Sequence, residues 1–493
     1  MRWERQLLLV AAVTAIVPIY LLLISPPFLN YVDACVMFQS TISYNFPHWK
    51  PLYIVFVRGV NGLASATGFG EIFEIVPVKM LSLYIIVIIQ HICTMSAVLL
   101  FSWTVARTIA GRLLTAILLS VYPITFLSAH FIALEGFLPA LLLALVALVL
   151  RVSSEDGCTK RNLALLAGFL FLAANIRHDL IILLSFAPLA VLAGALVRKD
   201  ALAQAMRRFA LVLGVSAAIL VSTVALEKGL LRVLDIEVDS IAGRLGLASI
   251  NAEEYPRMNE AEQAAFASAM VGCLASVPGA DGFVQIVMHP QGDAYMDVQR
   301  RLVQQNPILS YLKKRQRNDH TDMLLNKLLW CYLQTNPSRF WTQGMHRVAA
   351  FKDVLIRQQF FVDASTGFLR VAKNYPVMSG VADETVAFRD GRGYQGLIGS
   401  PLYSVFNSVT VLWLGVAAVA ASLLGVAVHG RHLAGLPTLF PALLVGAGHL
   451  ALAGFIAGPV LRYGIVFCVL YYASLLLVGI GALERATDRR RAR

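Results

Sequence analysis

About ten apolar runs, each close to the length of a bilayer crossing, dominate this chain of 493 residues. They fall near residues 7–25, 76–101, 112–127, 134–151, 162–177, 179–197, 208–227, 403–428, 433–456 and 460–483. Hydrophobic residues make up 58% of the chain and charged ones 14%. A water-soluble domain would expose that apolar surface, whereas a bilayer covers it. The expected fold class is therefore an all-α polytopic membrane protein with about ten transmembrane helices. The first run follows a basic start and meets Pro26-Pro27 without a small-residue cleavage site, so it reads as a retained helix. The stretch 112–151 is too long for one span, and Ser128, His130 and Glu135 divide it into two.

Three parts follow. Residues 1–227 form a membrane core of about seven spans with a first outer loop at 26–75. Residues 228–400 form an extracytoplasmic insert, and residues 401–493 a C-terminal membrane module of about three spans. Within the first loop, 31–44 has the spacing of a helix lying on the membrane surface. The insert reads as mostly helical. Asn259 with Glu260 and Glu262 marks a helix start, a pattern over 323–334 marks a second helix, and Asn336-Pro337 ends it. Ser338 can cap a following helix over 340–356, and the Gly- and Arg-rich stretch 389–399 reads as a strap back to the membrane.

Lys and Arg in the short loops give the orientation. With the N-terminus in the cytoplasm, one side carries 17 of them, among them Arg107, Arg112, Arg151, Arg208 and Arg485. The short loops of the other side carry Lys50, Arg58, Arg177 and Arg462. Both termini are then cytoplasmic and the insert is periplasmic or extracellular. The net charge of +12 comes from this asymmetry; the insert is nearly neutral, and no nucleic-acid partner is expected. Six scattered cysteines form no CxxC or Cys/His cluster. Cys273 and Cys331 could pair in an oxidising compartment, but two free thiols are expected.

Polar groups close to a membrane need a reason. Asp33, His48, Lys50, His130, Glu135, Arg177, His178, Asp179 and Arg462 all fall at the outer ends of different spans. Carboxylates beside cations, gathered in one outward cavity, can hold a phosphate and deprotonate a nucleophile. Each residue also has a simpler role. Asp33 suits a helix start, Lys50 can snorkel, Arg177 and Asp179 can form an ion pair, and Arg462-Tyr463 can anchor at the interface. His449 falls in mid-span, where a bond to a neighbouring helix is expected.

The first loop, "NYVDACVMFQS" followed by "FPHWKPLYIVFVRGVNGL", resembles the GT-C class of glycosyltransferases. The similarity is to the bacterial branch related to protein O-mannosyltransferases and lipid A aminoarabinose transferases. These have an acid soon after the first helix and then an "HKPPLY"-like stretch, here His48-Trp49-Lys50-Pro51-Leu52-Tyr53. "SAHFIALEGF", "NIRHDLIILL" and "LRYGIVF" are weaker echoes, and "LQTNPSRFW" resembles a recurring helix break. Asp33 is followed by Ala34 rather than an acid, and His178 stands where the family has proline.

The resemblance implies transfer of a sugar from a polyprenyl-phosphate donor to an extracytoplasmic glycan, lipid or protein, with inversion, in a bacterial inner membrane. Asp33 would be the general base. Lys50, Arg177 and Arg462 would bind the donor phosphate. His48, His130, Glu135, His178, Asp179 and Tyr463 would line the cavity, with Glu135 or His130 positioning sugar hydroxyls or Arg177. No cofactor is implied. The first loop has no DxD motif, so no metal is expected, a divalent ion staying an open alternative. The other reading is a transporter or flippase for a lipid-linked glycan, which would call for polar groups and broken helices at mid-membrane.

Overall fold

A computed structural model of the chain describes residues 3–24, 28–29, 51–66, 78–132, 134–154, 157–198, 202–233, 258–276, 280–289, 301, 314–338, 341–342, 344–346, 348–349, 436–457 and 461–491. The described membrane core contains α1 (Trp3–Ile24), α2 (Pro51–Ala66), α3 (Val78–Val105), α4 (Ile109–Val121), α5 (Pro123–Ala129), α6 (Leu138–Ser153), α7 (Lys160–Ile176), α8 (Leu183–Arg198) and α9 (Leu202–Val233). The insert contributes α10 (Glu260–Cys273), α11 (Ala280–Met288) and α12 (Lys314–Thr335). The C-terminal module contributes α13 (Leu436–Ala457) and α14 (Leu461–Arg491). Among the described residues the elements are helical, apart from two-residue strands β1 (Phe28–Leu29) and β2 (Phe131–Ile132).

Five helical segments among the described residues are long and apolar enough to cross a membrane: Trp3–Leu23, Tyr84–Val105, Glu135–Ser153, Leu202–Leu226 and Gly464–Thr487. Shorter apolar helices cover Ile109–Val121, Leu180–Ala195 and Phe440–Leu452. Predicted span 403–428, surface helix 31–44 and strap 389–399 lie outside the described residues.

The helices sort by burial. In α6 every residue from Leu138 to Val149 is buried, and α3, α7, α8 and α14 pack around it. Facing outward from this centre, α1 and α9 keep exposed Leu8, Ile16, Leu23, Leu213 and Val221. A helix apolar all round belongs in the middle of a bundle; one with an exposed apolar face suits lipid.

The run expected as one span over 112–127 is two helices. Pro123 has no N–H to donate and its ring disfavours a helical residue before it, so Tyr122 is extended at φ −68° and ψ 115°. Hydropathy alone does not register that break. A second departure is α2, a helix inside the segment expected as outer loop. Pro51 at its first turn fits a position whose N–H would have no partner. Tyr53, Val57 and Val60 bury one face of it against α3, α7 and α9.

One end of the bundle is tied by arginines and a carboxylate. Glu484 Oε1 accepts from the Arg107 and Thr108 backbone N–H groups at 2.9 Å each and from Thr108 Oγ1 at 3.0 Å. Thr108 in turn caps α4 by accepting from Gly111 N. Arg112 donates to Ala106 O and Gln6 Oε1, and Arg151 donates to Thr104 Oγ1. A Cβ on Gly111 would come within 2.7 Å of Glu484 Oε1. Glu484→Ala and Gly111→Ala should each lower stability by about 1 kcal/mol, the size of a lost cap. Both act on one contact, so thermal unfolding of the double variant should show less than the sum.

The insert has its own small core. Phe266 and Met270 of α10, Phe283, Val284 and Val287 of α11, and Leu324, Leu325, Leu328 and Tyr332 of α12 are buried together. Asn259 and Glu262 form a reciprocal capping box at the start of α10. The expected free thiols are corrected here: Cys273 and Cys331 are disulfide-bonded, 58 residues apart in sequence. The end of α10 packs against the C-terminal part of α12, which brings the two Cα atoms to 5.8 Å. Sequence spacing carried no sign of that approach. Reduction should loosen this module by about 2–4 kcal/mol and leave the membrane helices folded. Limited proteolysis with and without dithiothreitol should show new cuts confined to residues 258–338.

Candidate functional site

The end of the bundle away from Glu484 gathers groups from distant parts of the sequence. The chain leaving α1 enters β1, which pairs in parallel with β2: Phe28 opposite Phe131, Leu29 opposite Ile132. This ladder ties the start of the first loop to the segment between His130 and Glu135. Asp33 comes four residues after Leu29 in sequence. Asp33, His48 and Lys50 lie outside the described residues.

Glu135 sits in a single tight turn, Leu134–Phe137, that leads into α6. Arg177 follows the last turn of α7 in extended backbone (φ −141°, ψ 144°), and the chain then makes the turn His178–Ile182 before α8. These two junctions face each other. Arg177 Nη1 donates to Glu135 Oε1 at 3.1 Å, with both side chains more than nine-tenths buried. A buried carboxylate facing a guanidinium is tolerated only because each supplies the other's counter-charge. Arg177 therefore meets Glu135, while the backbone of His178 and Asp179 continues the turn beside it. Arg462 and Tyr463 belong to the first turn of α14. The side chains of these four residues are not among those described.

His130 is fully buried, and its Nδ1 lies 3.0 Å from Nε2 of His91 in α3. One turn of α3 thus grips the end of α5 and the residue after it, because Gln90 Nε2 also donates to Ala129 O at 3.2 Å. His130 is in this way held by a second imidazole at the head of the segment that carries Glu135. His91 was hidden inside a long apolar run; an ionisable residue there was the signal that could have found it.

Tyr53 was also missed as a site residue, although it ends the "HWKPLY" stretch. Its ring packs with Phe56 and edge-on with Phe137, two residues after Glu135, at 6.1 and 6.2 Å between centroids. Phe56 and Phe137 meet edge to face at 5.3 Å. Burial, and then the Glu135 charge, push the Tyr53 hydroxyl far above its usual pKa, so it stays a neutral donor.

Tyr53, His130, Glu135 and Arg177 thus come from α2, the β2 segment, the turn before α6 and the end of α7. The group offers a neutral phenol, a carboxylate and a guanidinium beside two phenyl rings. Such a set can hydrogen-bond a polyhydroxylated ring and stack on its C–H faces. Among the described residues no three His, Cys, Asp or Glu side chains are grouped as metal ligands. Comparison with protein-family profiles, curated proteins and solved structures gives no match.

Proposed function

We propose that this chain is a membrane glycosyltransferase of GT-C type, with about ten spans, that moves a sugar from a polyprenyl-phosphate donor to an extracytoplasmic acceptor. One observation carries the reading: three sequence-distant segments deliver Tyr53, His130 with Glu135, and Arg177 to one end of a helical bundle. That end lies opposite the arginine-rich end, which fits chemistry on the far side of a bacterial inner membrane. The disulfide in the insert supports the same sidedness, since such bonds persist in oxidising compartments.

In this reading the acceptor oxygen attacks the anomeric carbon as the bond from that carbon to the phosphate oxygen breaks. Asp33 takes the acceptor proton. The phosphate leaves with the bonding pair, and Lys50, Arg177 and Arg462 stabilise its charge. Glu135 holds the Arg177 guanidinium in place for that role. His48, His130, His178, Asp179 and Tyr463 line the cavity. A lipid-linked donor suits this side because it brings its leaving group within the membrane.

The test is consumption of donor. The purified full chain in lipid nanodiscs is given polyprenyl phosphates carrying different hexoses and pentoses, with a cell-envelope lipid and glycan extract as acceptor. Release of bare polyprenyl phosphate from one of them, dependent on acceptor, is the expected result; no release from any, with folded protein, sinks the reading. The carrier alternative draws on a different observation: Gln90, His91, Asn175 and Thr223 are buried polar groups inside spans.

A further inference from the structure

The Tyr53 hydroxyl is buried and makes no hydrogen bond among the described residues. A buried polar atom left so is destabilising, and most native hydroxyls avoid it. Ser102, Ser120 and Ser216 share the lack of a partner, but they stand in helices. Rotation about χ1 brings a helical serine to the carbonyl four residues back. A tyrosine oxygen sits at the tip of a rigid ring and has no such retreat. Its neighbours Phe56 and Phe137 would pack as well against phenylalanine. The oxygen therefore adds nothing to the packing of α2.

We propose that the Tyr53 hydroxyl binds a hydroxyl group of the donor's sugar ring, which lies between Tyr53 and the Glu135 carboxylate. The proposal rests on the glycosyltransferase reading and names the part of the donor that this corner of the site recognises. A sugar hydroxyl has both halves of what is needed: its oxygen accepts from the phenol and its hydrogen goes to the carboxylate. A phosphate has only acceptors there and would meet the Glu135 charge. The Phe56 and Phe137 rings add apolar surface suited to the C–H face of a pyranose or furanose. Burial keeps the phenol protonated, so it can donate throughout the working pH range.

Tyr53→Phe on the full chain in nanodiscs tests this. Equilibrium binding is measured for undecaprenyl phosphate carrying the sugar that the wild type prefers, and for bare undecaprenyl phosphate. The variant should bind the glycosylated lipid about 10-fold more weakly, the effect of one lost buried hydrogen bond. Its affinity for the bare lipid should be unchanged, and its melting temperature unchanged or raised. Equal affinity of variant and wild type for the glycosylated lipid overturns the assignment, as does an equal loss for both lipids. If the wild type itself does not distinguish any glycosylated lipid from the bare one, the glycosyltransferase reading fails, and the Tyr53 assignment falls with it.

Discussion

Glu135→Ala should lower the stability of the detergent-solubilised protein by about 3–5 kcal/mol, and Arg177→Ala by a similar amount. The reason is the company each residue keeps. The two side chains are 7% and 6% exposed, and their contact is 3.1 Å. Removing one leaves the other's charge in a medium that solvates it poorly. The effect should therefore be strongly non-additive. The double variant Glu135→Gln/Arg177→Gln removes both charges, keeps hydrogen-bonding side chains in place, and should recover much of the loss in thermal unfolding. On the proposed glycosyltransferase reading, transfer activity should separate from stability: all three variants should lose it, because the guanidinium proposed to hold the phosphate, or its support, is gone in each. Wild-type melting of Glu135→Ala would show that the pair is not the buried tie described above. A stable but active double variant would remove Arg177 from the site.

The fold was legible where apolar length decides the structure, and obscure where single residues decide it. The runs at 7–25, 76–101 and 208–227 appear as α1, α3 and α9 because a bilayer-length helix satisfies its own backbone. The Asn259 helix start was visible because its capping side chains are local in sequence. By contrast, the break at Tyr122 hung on one proline within an apolar run, and α2, at 16 residues and interrupted by Arg58 and Asn61, is too short to register as a span. Long-range pairing was harder still. Glu135 and Arg177 could be flagged as costly residues near a membrane, but their meeting depends on how α6 and α7 pack. The same holds for His91 with His130 and for Cys273 with Cys331, each pair joined by tertiary contacts that no spacing rule encodes.

If the proposed glycosyltransferase reading holds, Asp33→Asn should leave donor binding intact and reduce sugar transfer by about 100-fold or more, the range of a lost general base. The substitution keeps the side chain's size and removes its ability to take a proton. Its expected signature is a fall in kcat with little change in KM, since the acceptor proton moves only as the bond forms. The β1–β2 ladder gives the position its interest, because it fixes the chain four residues earlier against the segment that leads to Glu135. A carrier of lipid-linked glycans makes a different demand on the same residue. With no bond made or broken, Asp33→Asn would alter the rate of leaflet exchange or nothing, and the variants that stop the protein would instead be those of Gln90, His91 and Asn175 within the spans. Two measurements on one set of nanodisc and liposome preparations therefore divide the readings: donor turnover, and movement of an unmodified lipid-linked glycan between leaflets. Normal turnover by a folded Asp33→Asn protein would remove the base from the mechanism. No donor turnover by the wild type, together with leaflet exchange that His91→Ala abolishes, would identify a carrier.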